Sequence, residues 1–219
     1  MFKKKKDKST LTRGHILRLY PTADQAKVLN RFAGITRACH NLLLEREQKE
    51  YESTGKYPGL SWFTGQCAAM KREKGLEWLK TAPAQALQCA AKELDLTFEA
   101  FFGYKAGKTG MKRGLPKFHK RGHNDSFRIP QGGFARVGCK HPAGFIIDQS
   151  GNKIFVPKLG WVSYRNGGMD ISVYKGWNKG VPKAAVFKKK AGKWFATVFV
   201  EYAGKMPEIK KGICPSLRH

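Results

Sequence analysis

Residues 12–25 read TRGHILRLYPTADQ, and this stretch sets the organisation of the whole chain. Thr12 to Tyr20 reads as a short strand. Pro21-Thr22-Ala23-Asp24-Gln25 reads as a helix start, because Thr22 can cap and Gln25, three residues on, completes a capping box. A strand that hands directly to a helix, with more strands only much later, implies that helices are inserted into a sheet.

Downstream of that junction, Val28, Leu29, Phe32, Ile35, Cys39, Leu42 and Leu43 recur at helical spacing and make one apolar face. A break at Gly55 to Gly59 separates this helix from a weaker one near Trp62 to Lys74. Pro83 opens a third, with Leu87, Ala91, Leu94, Phe98, Phe101 and Phe102 as its buried stripe. Three such stripes facing one another predict a small bundle. From Gly103 to His123 the chain is rich in glycine and basic residues, and reads as a loop or hinge that does not pack. Beyond it, short apolar runs separated by glycine turns predict strands at Phe145–Asp148, Lys153–Pro157, Trp161–Arg165, Met169–Tyr174, Ala184–Lys189 and Trp194–Tyr202. The last is apolar on both faces, as a central strand would be. Several short strands at this spacing suggest a small barrel, with Thr12–Tyr20 as its first strand. The expected class is therefore α+β.

Charge narrows the partner. The 219 residues hold 42 Lys plus Arg against 16 Asp plus Glu, a formal net charge of +26. That excess implies a polyanion, since a phosphate backbone gives affinity through counterion release. No run approaches the about 20 apolar residues of a membrane-spanning helix, and the basic start MFKKKKDKST is not followed by a signal-peptide core. A cytoplasmic protein with no membrane partner is expected. The five cysteines are odd in number and form no CxxC pair, so neither a disulfide framework nor a zinc ribbon is indicated. His119, His123, Cys139 and His141 can be forced into a zinc site, but they read better as polar residues of a basic loop. No metal or cofactor is expected.

Several ordered motifs carry a family resemblance. Arg18-Leu19-Tyr20-Pro21-Thr22 with Gln25 opens the series, followed by Gly34, Arg37, Asn41 and Leu44 on the first helix. Trp78-Leu79, Pro83, Gln85-Ala86-Leu87-Gln88, and Leu94-Asp95 with Phe98, Phe101 and Phe102 come next. Gly114, Pro116-Lys117-Phe118, Ser126-Phe127-Arg128, Pro157-Lys158-Leu159-Gly160-Trp161 and Gly192-Lys193-Trp194-Phe195 complete it. In this order they resemble the N-terminal half of TnpB, the transposon-encoded RNA-guided DNA nuclease related to type V CRISPR effectors.

The resemblance implies a wedge domain, an oligonucleotide-binding-type β-barrel, into which a helical recognition domain is inserted. The expected divisions are 1–20 (first barrel strand), 21–102 (helical domain), 103–125 (basic linker), 126–210 (remaining barrel) and 211–219 (tail). In the family these parts hold a guide RNA scaffold, and a RuvC-type nuclease domain with acidic metal ligands follows. Here Lys211-Gly212-Ile213 leads to Cys214 where the first such aspartate is expected. The expectation is thus a binder without a catalytic site. It would capture guide RNA and so inhibit or regulate an RNA-guided effector, or occupy duplex DNA as a repressor. A third possibility is one half of a split nuclease, which an open apolar sheet edge near Ala196–Val200 would favour.

The candidate RNA contacts follow. Lys105, Lys108, Lys112, Arg113, Lys117, Lys120 and Arg121 form a loop of seven cations with no acid between Gly103 and Asn124. Phe118 and Phe127 flank its end, either stacking on unpaired bases or serving the core. Arg18 and Tyr20 lie at the strand-to-helix junction. Arg37 and Asn41, one turn apart, either face nucleic acid or tie the bundle together. Arg128 and Lys158 sit in matched motifs. Lys188, Lys189, Lys190 and Lys193 read as a hairpin tip suited to the outside of an RNA helix. Gln88 is the candidate reader of an adenine edge in duplex DNA. Lys3–Lys6 are either a further grip or a solvated tail. Trp78, Trp161 and Trp194 read as core anchors.

Overall fold

The capping box forms as its spacing dictates. In a computed structural model, which describes residues 10–108, 110–122, 125–135, 144–173 and 180–203, the Gln25 N–H donates to Thr22 Oγ1 (3.3 Å) and the Thr22 N–H donates to Gln25 Oε1 (3.1 Å). Strand β1 (Thr10–Tyr20) therefore passes almost at once into helix α1 (Ala23–Thr54), 32 residues long. The remaining amide of Gln25 donates to the Trp161 carbonyl (2.8 Å), tying the start of the helix to the sheet. The helix stops where Gly55 turns left-handed (φ 66°), a conformation that glycine adopts without a Cβ clash.

Two further helices complete the bundle: α2 (Gly59–Met70), and α3 (Ala84–Lys105) after Pro83. Their apolar stripes close on α1 through Leu29, Phe32, Ile35, Cys39, Leu43, Phe63, Leu87, Leu94 and Phe98, all buried. The second helix is shifted from the expected Trp62–Lys74: it starts at Gly59 and stops before the basic run at Lys71.

The strands are β2 (Ser126–Ile129), β3 (Gly132–Phe134), β4 (Phe145–Asp148), β5 (Lys153–Val156), β6 (Gly160–Arg165), β7 (Val181–Lys190) and β8 (Lys193–Ala203). With β1 they form one eight-stranded sheet in the order β2-β7-β8-β1-β6-β5-β4-β3, antiparallel except for β3 with β4. The central reading of the last strand holds. β8 is paired along both sides, by β7 and β1, so Ala196–Val200 offers no open edge.

Three expectations are corrected. Met169–Tyr174 is not a strand over its described part: Gly167 and Gly168 take positive φ, and Asp170 folds back to accept from the Ser172 N–H and Oγ. β2 and β3 were not anticipated, because four residues and a Gly-Gly-Phe triplet are too short to show a period. The sheet is also not a closed barrel. β2 and β3 lie at opposite ends of the hydrogen-bonded order, yet only Pro130 and Gln131 separate them in the chain. The sheet must roll until its ends approach, and β3 does come near β7. No ladder joins the ends, and the missing N–H of Pro130 falls at that seam. At the start of β3, a Cβ on Gly132 would lie 2.2 Å from the Phe145 ring, so only glycine fits.

The helices rest on one end of the rolled sheet. Phe127 of β2 stacks on Phe187 of β7 (centroids 4.9 Å apart) and meets Phe32 of α1 edge-on (5.7 Å). One apolar core therefore runs through bundle and sheet without interruption.

Candidate nucleic-acid interface

The basic segment after α3 is not a free hinge. Asn41 of α1 grips the backbone of His119 from both sides of its amide: Nδ2 donates to the His119 carbonyl (3.1 Å) and Oδ1 accepts from the His119 N–H (2.8 Å). The rings of His40 and His119 stack with centroids 3.9 Å apart. Arg37, one turn earlier, meets Asp125 at 3.7 Å. Leu115 and Pro116 cover a groove between α1 and α3 beside Leu44, Phe98 and Phe102. The expectation of a segment that does not pack is therefore corrected: it is a strap laid along α1.

Held in this way, the strap leaves Lys108, Lys112, Arg113, Lys117, Lys120 and Arg121 exposed. Lys105, at the last turn of α3, lies over the Phe101 ring (5.9 Å). None of these seven takes part in an ion pair among the described residues, where Asp125 is committed to Arg37. A strip of unneutralised charge fixed to a rigid helix is suited to phosphates.

Beneath the strap lies a cleft of about 450 Å³, lined by Arg37, His40, Glu93, Phe118, His119 and Lys120. Burial and then the neighbouring His119 pull the His40 pKa down to about 4, and burial followed by Arg37 lowers that of His119. Both rings are neutral at pH 7, which allows them to stack. Burial raises the carboxyl of Glu93, with Arg128 opposing. Phe118, 51% exposed, stands at this cleft and is free to stack on a base. Phe127 is not: at 2% exposure it belongs to the core, and its candidacy for stacking is corrected.

The remaining candidates divide by what their polar atoms already hold. Lys158, held at φ 66°, donates its ammonium to the carbonyls of Lys80 and Ala82 (3.0 Å to the latter), which joins the sheet to the turn before α3. Lys189 donates to Asn30 Oδ1 (2.9 Å). Lys188 faces Ser126 and Phe195 across its neighbouring strands. The β7–β8 hairpin turns at Ala191-Gly192, both at positive φ, and leaves Lys190 and Lys193 exposed at its tip. Arg128 is exposed on the outer face of β2, and Gln88 is exposed on α3. Arg18 and Tyr20 sit together on β1, with the guanidinium 4.9 Å from the ring centroid.

Sequence reasoning missed Arg165, which lies directly across from Arg18 on β6 and approaches the same Tyr20 ring at 5.2 Å. Only the strand register brings these two together. It missed His40 as a structural partner, since nothing in a helical pattern marks which side chain meets a strap so far along the chain. It also placed two tryptophans wrongly. Trp194 is buried, but Trp78 and Trp161 are each 38% exposed. The zinc candidates His123, Cys139 and His141, together with Lys3–Lys6 and Cys214, lie outside the described residues. Among the described ones no three His, Cys, Asp or Glu gather as a metal site would require. No described helix is long and apolar enough to cross a membrane.

The chain is similar in sequence to known proteins. A family model for a helix-turn-helix domain, of the OrfB IS605 type, matches residues 11–56. That segment holds β1 and one unbroken helix, so the name does not describe its local geometry. The putative RNA-guided DNA endonuclease InsQ of Escherichia coli (strain K12) is 32% identical over 183 residues, which cover 84% of this chain and 39% of that protein. The chain thus spans about two fifths of the length of this relative.

Proposed function

Since this chain belongs to the TnpB family, we propose that it binds a structured guide or scaffold RNA through the basic strap at residues 105–121. The observation that carries this reading is the strap itself: seven cations without a carboxylate among them, pinned to α1 by Asn41 and the His40–His119 stack. A charged segment held in this way meets a phosphate backbone at a low ordering cost. The relative's description as an RNA-guided endonuclease supports RNA as the polyanion. Lys190 and Lys193 at the hairpin tip, with Arg128 on β2, extend the cationic surface. Arg37 and Asn41 then act by positioning the strap, and Lys158 by joining sheet to bundle. The wedge and recognition parts of the family correspond in this reading to the rolled sheet and the three helices.

Binding is the role we assign to these residues, because a cationic strap without a carboxylate offers contacts to phosphates and no ligand to a metal. The consequence is capture of guide RNA, which regulates or inhibits an RNA-guided effector competing for it. A second reading, occupation of duplex DNA, is favoured by the exposure of Gln88 on α3 beside Lys92. A glutamine there can address an adenine edge in a major groove.

The test is RNA binding by the purified chain across a salt series. Affinity should fall about a thousandfold or more between 50 and 200 mM salt if roughly six or more phosphates are engaged. Alanine at Lys112, Arg113, Lys117, Lys120 and Arg121 together should weaken binding strongly and flatten that slope. Equal binding by this variant and the parent would show that the strap is not the interface. Sequencing co-purified RNA identifies the ligand. Adding the protein before, but not after, guide loading should suppress a TnpB-type effector if capture is its role.

A further inference from the structure

Arg18 and Arg165 occupy directly opposed positions on antiparallel β1 and β6. Like charges placed directly across a sheet repel and weaken it. Neither guanidinium belongs to an ion pair among the described residues. Instead both lie against one ring, that of Tyr20, at 4.9 and 5.2 Å from its centroid. Cation–π attraction holds the two planar donors side by side, and their neighbour Tyr20 is itself 40% exposed. A sheet that keeps this repulsion, and orders the groups that cause it, is arranged for an anion from outside.

The surroundings say which anion. All three side chains project from the outer face of the sheet, opposite to the buried Leu17, Leu19 and Tyr164. Phe195 of β8 lies across from Arg18 on its other side. Trp161 is exposed on the same face of β6, in edge contact with Phe155 (5.5 Å). Cations interleaved with exposed rings on a sheet surface are the arrangement that binds unpaired nucleotides, with phosphates on the arginines and bases on the rings. A duplex would satisfy the arginines but leave the rings without partners. A small inorganic anion would do the same.

We propose that Arg18, Tyr20 and Arg165 form a clamp for an unpaired nucleotide strand, each arginine holding a phosphate and Tyr20 stacking on a base. This deepens the RNA-binding reading and rests on it: the strap holds the structured part, and the clamp takes a single-stranded extension. The two surfaces are separate. The strap lies on α1, whereas the clamp lies on the outer face of β1 and β6.

The experiment compares one RNA hairpin with the same hairpin carrying an eight-nucleotide unpaired tail, each titrated with the full chain at fixed salt. The tailed RNA should bind at least tenfold more tightly. In the R18Q/R165Q variant this gain should vanish while affinity for the plain hairpin stays as in the parent. The salt slope for the tailed probe should then fall by about one to two. The melting temperature should be unchanged or raised, because the opposed charges are gone. Should the glutamine variant fold poorly, R18K/R165K keeps the charge and removes the planar forks, and it should retain only part of the gain. A 2-aminopurine in the tail should be quenched by the parent and not by Tyr20→Leu. A DNA tail on the same hairpin reports whether ribose or deoxyribose strands share the clamp, and a gain from either supports it. Hairpin binding with no gain from either tail, or a gain that survives R18Q/R165Q, overturns the clamp and leaves the RNA-binding reading intact. Failure of both probes to bind overturns both.

Discussion

Asn41 and His119 are 78 residues apart in the chain, and a single side-chain amide spans that separation with two hydrogen bonds of 3.1 and 2.8 Å. The consequence is a division of labour within one polar residue pair. Both ends of the Asn41 amide hold the strap, so the placement of the lysines and arginines on either side of His119 depends on this one side chain.

Asn41→Ala should release the strap without disturbing the core. The loss of two partly exposed hydrogen bonds corresponds to about 1–2 kcal/mol. Hydrogen exchange at the His119 amide should become fast, and RNA affinity should fall by severalfold while the salt slope stays close to that of the parent. A lowered slope instead would mean that Asn41 had been placing a direct contact.

Acid should release the strap as well. The His40 pKa lies at about 4, with His119 also lowered, whereas histidines in an unfolded chain titrate near 6.5. Between those values the unfolded or released state binds more protons, so the stabilisation is complete above about pH 6.5 and is lost as pH falls toward 4. Charging either ring would set a cation against its neighbour and against Arg37 and Lys120, which line the same cleft. Melting temperature measured from pH 7 to 4 should therefore decline more steeply in the parent than in His40→Phe, where a ring remains that cannot charge. Parallel curves would remove the histidine pair from the latch.

The two phenylalanines that flank the basic segment should behave oppositely. Phe127→Ala removes a ring packed on Phe187, Phe32 and Trp194 and should cost about 3–5 kcal/mol of stability. Phe118→Ala, at a half-exposed position, should leave the thermal transition in place and weaken RNA binding by about 1–3 kcal/mol if the ring stacks on a base. Chemical denaturation and binding titrations of the two variants separate these outcomes.

The helical part of the molecule was legible because its signals are local. Thr22 and Gln25 form their capping box within one turn, Gly55 stops the helix that they start, and Leu29 to Leu43 mark one face by spacing alone. The long strands were legible for the same reason, with β8 readable as central from its two apolar faces. The rolled but unclosed sheet was not, since β2 and β3 are too short for a period and their separation by Pro130-Gln131 carries no sign of opposite sheet ends. Within the candidate interface, the charge of the strap was plain, whereas its attachment was not.

The amino-acid order by itself determined the excess of positive charge and the succession of strand, helices and strands, because composition, caps and periodicity are written in the chain a few residues at a time. Only the tertiary structure decided which polar groups remain available. Packing withdrew Phe127 into the core and spent Asn41, Lys158 and Lys189 on internal bonds. Register brought Arg18 against Arg165 beside one tyrosine. Those outcomes depend on contacts between residues far apart in the chain, which a local pattern of side chains does not encode.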